Sequence, residues 1–339
     1  MKMLTYLFKH KWHWVLISVT LLILVVKVFV CSSNQPNDSD KNYKEAFKNN
    51  CKVFSVEIPN ELSFAGEKVP LEYEDVRENL ERELLINCYW QSNTILMIKR
   101  ANRWFPLIES ILKEQGVPDD FKYLAMAESG LTHATSTAGA CGYWQFMKDT
   151  GIRYGLEIND EVDERYNIEK ATVAACKYLK NAYAQCNYWT NAAASYNMGE
   201  AGMKKQIDFQ GCTKYYDLFL NMETSRYIFR ILSLKLILQK PSDYGFYLRN
   251  KDLYQAIPTY KVSVDSSVSN LADFAVKNKT TYKVLKQFNP WLRDRKLTNK
   301  TKKQYIFTFP ENQYLLYLNL LSKIKDPNSL INDTATTIN

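Results

Sequence analysis

A chain of 339 residues has room for two domains, or one large domain with additions. With 46% hydrophobic, 24% charged and 14% aromatic residues, it has the composition of a folded globular protein. Three histidines exclude most multi-histidine metal sites. Seven cysteines without a CxxC spacing disfavour zinc fingers, iron–sulfur clusters and thioredoxin-type redox chemistry. Neither GxGxxG nor GxxxxGK[ST] occurs, against dinucleotide and P-loop chemistry. The sequence therefore calls for no metal and no cofactor, and its net charge of +8 points to an anionic partner: nucleic acid, a membrane surface or an acidic polymer.

Residues 1–31 read as an N-terminal membrane anchor or signal segment. Lys2, Lys9 and Lys11 precede an apolar run over 12–30, broken only by His13 and Lys27. At a helical rise of 1.5 Å such a run spans roughly 28 Å, close to a bilayer's hydrocarbon thickness. The lysines before the run place the N-terminus in the cytoplasm and the working part outside it, in the periplasm. An uncleaved anchor fits the span length best. A cleaved signal peptide lacks a small-x-small site, and lipidation of Cys31 lacks a small residue in Val28-Phe29-Val30. In an exported chain Cys51, Cys88, Cys141, Cys176, Cys186 and Cys212 form an even set able to pair, with buried free thiols as the alternative.

Residues 32–73 read as a linker and extended N-terminal region. Over 74–246 the chain becomes a series of helical patterns with no strand-like alternation, predicting a mainly α, all-helical domain. Helices are expected over 74–90, 95–115, 119–129 (with Asp119 as cap and Gly130 as stop), 168–184, 188–196, 215–221 and 223–239. Beyond Pro241 the character changes. β-rich runs at 260–264 and 304–309 bracket two short amphipathic segments at 271–277 and 282–289, a small βααβ module assigned to 255–312. Residues 313–339 read as a closing helix, over 311–324, and a frayed tail.

The helix ending at Gly130 carries the candidate acid. Phe121, Leu124, Ala125 and Glu128 stand at i, i+3, i+4 and i+7, so Glu128 projects from the apolar face. Small neighbours, Ala127, Ser129 and Gly130, leave space before its carboxyl. Desolvation and the negative end of the helix dipole both disfavour ionisation, so a raised pKa is expected, as a general acid for glycosidic cleavage needs. Taken alone, a solvated helix-end glutamate is the commoner case. Three further strings change that balance: Gly142-Tyr143-Trp144-Gln145, Tyr196-Asn197-Met198-Gly199-Glu200 and Glu223-Thr224-Ser225-Arg226-Tyr227.

With Glu128-Ser129-Gly130, these strings resemble, in order, the four motifs of lytic murein transglycosylases with the soluble-lytic-transglycosylase (SLT, lysozyme-like) domain. The resemblance covers about residues 74–246 and includes Asp163-Glu164-Arg165-Tyr166. It departs at Cys141 and Met198, where small residues are common, and at Tyr143-Trp144 in place of Leu-Met. The resemblance implies that Glu128 protonates the oxygen between N-acetylmuramic acid and N-acetylglucosamine, then removes the C6 hydroxyl proton, giving a 1,6-anhydromuramyl end without water. It implies that Tyr196 and Tyr227 orient Glu128. Ser136, Gln145 and Asn197 would hold sugar or acetamido groups, and Tyr143 and Trp144 are candidates for sugar contacts or core. The 255–312 module weakly resembles a LysM peptidoglycan-binding domain through Leu271-Ala272-Asp273-Phe274-Ala275, Thr281, Leu285 and Asn289-Pro290, but Asp265-Ser266-Ser267-Val268 replaces the usual Gly-Asp-Thr-Leu opening. The implied partners are peptidoglycan glycan strands and, through the anchor, a membrane. Export argues against nucleic acid, and oligomeric state is not readable. A hydrolytic muramidase and a non-catalytic wall-binding protein are the competing readings.

Overall fold

A computed structural model of the chain describes residues 19–22, 45, 48–49 and 53–331. The chain divides into two compact units, Met1–Ser55 and Val56–Asn339. No helix among the described residues is long and apolar enough to cross a membrane; most of the expected anchor, including Cys31, lies outside them, as do Cys51 and the final tail. The helices and strands of the globule, from Ser63 on, belong to the second unit.

A β-hairpin comes first, β1 (Ser63–Phe64) and β2 (Glu67–Lys68), followed by α1 (Glu74–Tyr89), α2 (Gln91–Glu114) and α3 (Phe121–Ser129). Then come α4 (Lys148–Arg153), a 3-10 turn at Glu164–Tyr166, α5 (Ile168–Cys186), α6 (Trp189–Met198), α7 (Glu200–Gln210) and α8 (Met222–Gln239). Helix α8 packs on α1, α3 and α6, and α5 packs on α2 and α6, around one apolar core. The C-terminal module is β3 (Thr259–Val264), α9 (Leu271–Lys277), α10 (Tyr282–Phe288) and β4 (Tyr305–Pro310), with β3 and β4 antiparallel in the register Thr259 to Pro310. The expected mainly α architecture with a terminal βααβ module is the fold observed.

Several boundaries differ from expectation. The supposed linker is part of the globule from Val56 on: Phe64 is fully buried against Phe121, and Val69 and Leu71 join the same core. Two-residue strands carry no readable alternation, so the hairpin left no periodic trace. Its polar groups also fasten distant helices. Glu67 accepts hydrogen bonds from the Trp189 and Thr190 amides at 2.5 and 2.9 Å, capping α6 from outside. Asp120 caps nothing in its own helix; it accepts from Ala65 N–H at 2.7 Å and from Lys235 at 2.8 Å. Asp119 pairs with Lys122 at 2.5 Å instead of capping α3.

The expected helix over 215–221 is only a 3-10 turn, Tyr215–Asp217, because the Asn221 side chain accepts from Thr224 N–H and starts α8 there. Helix α7 went unforeseen, having Met203 as its single buried residue. The closing helix is reduced to a 3-10 turn, Asn312–Leu315, and α11 (Tyr317–Leu321), with Leu316 and Leu318 exposed. Cys88, Cys141, Cys176, Cys186 and Cys212 are all free thiols, and burial pushes the Cys88 thiol up to about 11.

Charge is unevenly placed. Between residues 259 and 311 eleven Lys and Arg face only four Asp and Glu, so this module carries most of the chain's +8. The segment it rests on is acidic: Glu157, Glu161, Asp163, Glu164 and Glu169.

Candidate active site

Helix α3 ends beside Glu128 because Gly130 takes the left-handed conformation, φ +57°, and returns its N–H to the Met126 carbonyl. Phe121, Leu124 and Ala125 are fully buried, so the helix has one possible orientation and Glu128 follows their face. The residue itself is only partly covered, yet its carboxyl lies where desolvation dominates. Desolvation pushes the Glu128 pKa up to about 7; the Tyr227 hydrogen bond and nearby Arg230 pull it down, and Glu223 adds to the rise. The Tyr227 hydroxyl donates to Oε1 of Glu128. Tyr227 is 2% exposed on α8, and its own pKa lies well above the usual phenol value through desolvation and the adjacent Glu128 charge.

The position of Tyr227 is fixed by a carboxylate that sequence reading missed. Glu83 on α1, 1% exposed, accepts from Arg226 Nε at 2.7 Å, with Arg82 at 3.5 Å and Arg230 at 3.9 Å. Arg226 and Arg230 flank Tyr227 on α8, so one buried acid sets the helix's rotation and holds a cation near Glu128. Glu83 stands between Leu80 and Leu84, on the apolar face of α1, and that misplacement in the hydrophobic pattern was its only sequence signal.

The other predicted residues fall into different places. Tyr196 does not bond Glu128: its hydroxyl donates to the Trp144 carbonyl at 2.8 Å, though it lies close enough to feel the Glu128 charge. Trp144 is fully buried, its Nε1 donating to Thr172 Oγ1 at 2.9 Å, and Tyr143 is 2% exposed between Trp104 and His133. Of the two roles open to them, sugar contact or core, both take the second, because a ring without an exposed face offers a sugar nothing to stack on. Their backbone matters instead. Ser129 Oγ donates to the Tyr143 carbonyl at 2.8 Å, so the segment 139–146 is tied on both sides of Glu128, by Ser129 and by Tyr196.

Gln145 takes φ +48° and spends its amide N–H groups on the Ala134 and Gly142 carbonyls at 3.0 and 2.8 Å, leaving only the amide oxygen. Ser136 Oγ accepts from Ala140 N–H at 3.0 Å, which leaves its own proton to give. Asn197 is committed on both sides, donating to Glu223 Oε1 at 3.1 Å and accepting from Thr224 at 2.7 Å. Glu200 of the same string binds Tyr154 and Asn181 at 3.0 and 2.6 Å, stapling α7 to α5. Gly142 has no substitute: at φ +78°, an added Cβ would overlap the Arg165 carbonyl oxygen. Among the described residues no group of His, Cys, Asp and Glu is arranged to hold a metal ion.

Comparison with known proteins gives two domain matches. Residues 106–219 match the model of the Transglycosylase SLT domain, and residues 260–313 that of the Soluble lytic transglycosylase C-terminal LysM-like domain. The chain is 28% identical, over 222 residues, to proteins called Membrane-bound lytic murein transglycosylase D from Escherichia coli strain K12 and strain O6:H1. The alignment covers 63% of this chain and 48% of each relative, so the chain matches about half the length of those curated relatives. An SLT domain followed by an SLT-type LysM-like domain is thus what this chain carries.

Proposed function

We propose that this SLT-domain chain is a peptidoglycan lytic transglycosylase in which Glu128 acts first as acid and then as base. The observation that carries the reading is a single carboxyl at the end of α3, desolvated to a pKa of about 7 and held by the Tyr227 phenol. At neutral pH such a group is present in both forms, as a residue that must give and then retake a proton requires.

In the first step protonated Glu128 gives its proton to the oxygen linking C1 of N-acetylmuramic acid to N-acetylglucosamine, and the C1–O bond breaks. The acetamido group of the substrate shares the charge left at C1. In the second step Glu128, now a carboxylate, takes the proton of the C6 hydroxyl as O6 bonds to C1. The acid is regenerated, no water is consumed and the product ends in a 1,6-anhydro ring. In this scheme Tyr227 keeps the carboxyl aimed at the reacting oxygen through both steps, and Ser136, the Gln145 amide oxygen and the 139–146 backbone supply the polar contacts to sugar.

A second carboxylate favours keeping the hydrolytic alternative in the test. Glu223 lies within electrostatic range of Glu128 and is held by Asn197. Hydrolytic glycosidases use such a pair, one member activating water. Digestion of purified peptidoglycan with mass spectrometry of the fragments separates the two: 1,6-anhydro ends support the transglycosylase, and reducing ends identify a muramidase. Cleavage that survives in Glu128→Gln would overturn both. Envelope localisation with an N-terminal anchor belongs to the same proposal and is motivated by residues 1–31 and by the substrate.

A further inference from the structure

The LysM-like module is not hung from the catalytic lobe by a tether; it is built into it. Residues 161–163 pair with 291–293 as a short antiparallel ladder: Asp163 N–H donates to the Trp291 carbonyl and Arg293 N–H to the Glu161 carbonyl, both at 2.8 Å, around the Val162–Leu292 bridge. The apolar contact is continuous, since Cys141, Val162 and Tyr166 are buried in one cluster with Leu271, Leu285, Trp291, Leu292 and Phe307 of the module. Charges complete the seam. Glu161 accepts from Thr298 N–H and Oγ1 at 2.5 and 2.9 Å, Lys303 pairs with Glu157, and Lys261 pairs with Glu169 at 2.7 Å.

The contact leads directly to the site. Arg165, 7% exposed, forks onto Asp163 through Nε at 2.9 Å and Nη2 at 2.7 Å. Its remaining nitrogen, Nη1, donates to the Gly139 and Phe146 carbonyls at 3.0 and 3.1 Å. Arg165 therefore holds both ends of the segment whose Tyr143 and Trp144 carbonyls bind Ser129 and Tyr196 beside Glu128. Asp163, which orients the guanidinium, is the residue paired with the module.

We propose that Arg165 is a positioning residue for the 139–146 segment and that the LysM-like module, by fixing residues 157–166, is the brace that keeps it in place. The inference rests on the transglycosylase reading for its kinetic consequence, but its structural half stands apart from it. A module serving only to retain glycan would alter affinity; a brace alters turnover, because a displacement of about 1 Å costs up to ~100-fold in rate.

The test uses the full chain. Lys303→Glu sets a carboxylate against Glu157 and Glu164, Glu157→Lys sets two lysines together, and the double variant restores an opposite pair. Amide hydrogen exchange is followed over residues 139–146 and over 259–311, alongside kcat and KM on soluble glycan strands. Faster exchange at 139–146 in both single variants, a kcat lowered roughly tenfold with little change in KM, and recovery of both in the double variant are expected. Faster exchange confined to 259–311, or a raised KM with unchanged kcat, would overturn the proposal. Should the wild-type chain leave glycan uncut, the transglycosylase reading fails, and the exchange at 139–146 alone decides the brace. Glu161→Ala, which removes the acceptor for Thr298 and the ion pair with Lys296 but sets no like charges together, is the milder second variant and is expected to show the same pattern at smaller amplitude.

Discussion

Tyr227 and Glu128 are 99 residues apart in the chain, and the phenol donates directly to the carboxyl oxygen. The bond favours the ionised carboxylate, while the desolvated surroundings favour the neutral acid, and the balance leaves the pKa at about 7. Helix α8 thus contributes to the site as a regulator of acidity, and Glu83 on α1 contributes by fixing α8.

Glu128→Gln keeps the size of the side chain and removes its proton chemistry. Glycan cleavage is expected to fall by at least ~1,000-fold, toward the upper end of what general acid–base catalysis supplies, with binding of glycan strands retained. Turnover of labelled peptidoglycan and a pull-down on insoluble peptidoglycan measure the two separately.

Tyr227→Phe removes the bond that lowers the Glu128 pKa. The acid then loses its proton at higher pH than the wild type's value of about 7. In the wild type kcat/KM is expected to fall as pH rises through about 7, and in Tyr227→Phe this alkaline limb is expected to move upward while the maximum rate drops. A limb that stays in place would dissociate Tyr227 from control of the acid.

The raised Glu128 pKa also costs stability, with a definite sign. The unfolded carboxyl titrates near 4.5 and the folded one near 7, so between these values the native state holds more protons and stability declines as pH rises. Glu128→Gln, which cannot ionise, is expected to melt close to wild type at pH 4.5 and above it at pH 8. The gain is at most about 3 kcal/mol by the shift in pKa. Thermal melts at the two pH values check it.

Gly142→Ala places a methyl group on the Arg165 carbonyl at a positive φ, and Gly139→Ala meets a positive φ with open space around it. The second substitution is expected to cost about 1–2 kcal/mol of backbone strain, and the first distinctly more. Denaturant melts of the pair separate strain from collision.

Glu223→Gln discriminates the two reaction outcomes at residue level. For a transglycosylase, loss of a neighbouring negative charge lowers the Glu128 pKa, and 1,6-anhydro products persist with the pH profile shifted downward. For a muramidase the water-activating partner is gone and reducing ends disappear. Mass spectrometry of the digest reads both.

How much of the fold was written in the linear chain depends on whether the information was periodic. Phe121, Leu124, Ala125 and Glu128 occupy one face of α3 because spacing and burial are the same fact in a helix. The βααβ order of the module was readable for the same reason. Trp144 was not, since an aromatic just after a glycine turn looks alike whether it lines a cleft or plugs a core, and only Thr172 on α5 decides. The bonds of Tyr196 to Trp144, of Glu67 to α6 and of Glu161 to Thr298 join segments distant in sequence, and no local pattern encodes them. Four ordered motifs led to the right domain type, because they reflect a whole arrangement and not one contact.

The basic residues crowded between 259 and 311 have a kinetic consequence. On the proposed function, the basic residues not already paired with Glu157, Glu161 and Glu169 would draw an anionic glycan strand to the module's side before it meets Glu128, so encounter would be oriented as well as accelerated. That guidance fades beyond about 8 Å at physiological ionic strength, making the first step of recognition far more sensitive to salt than the later bond cleavage.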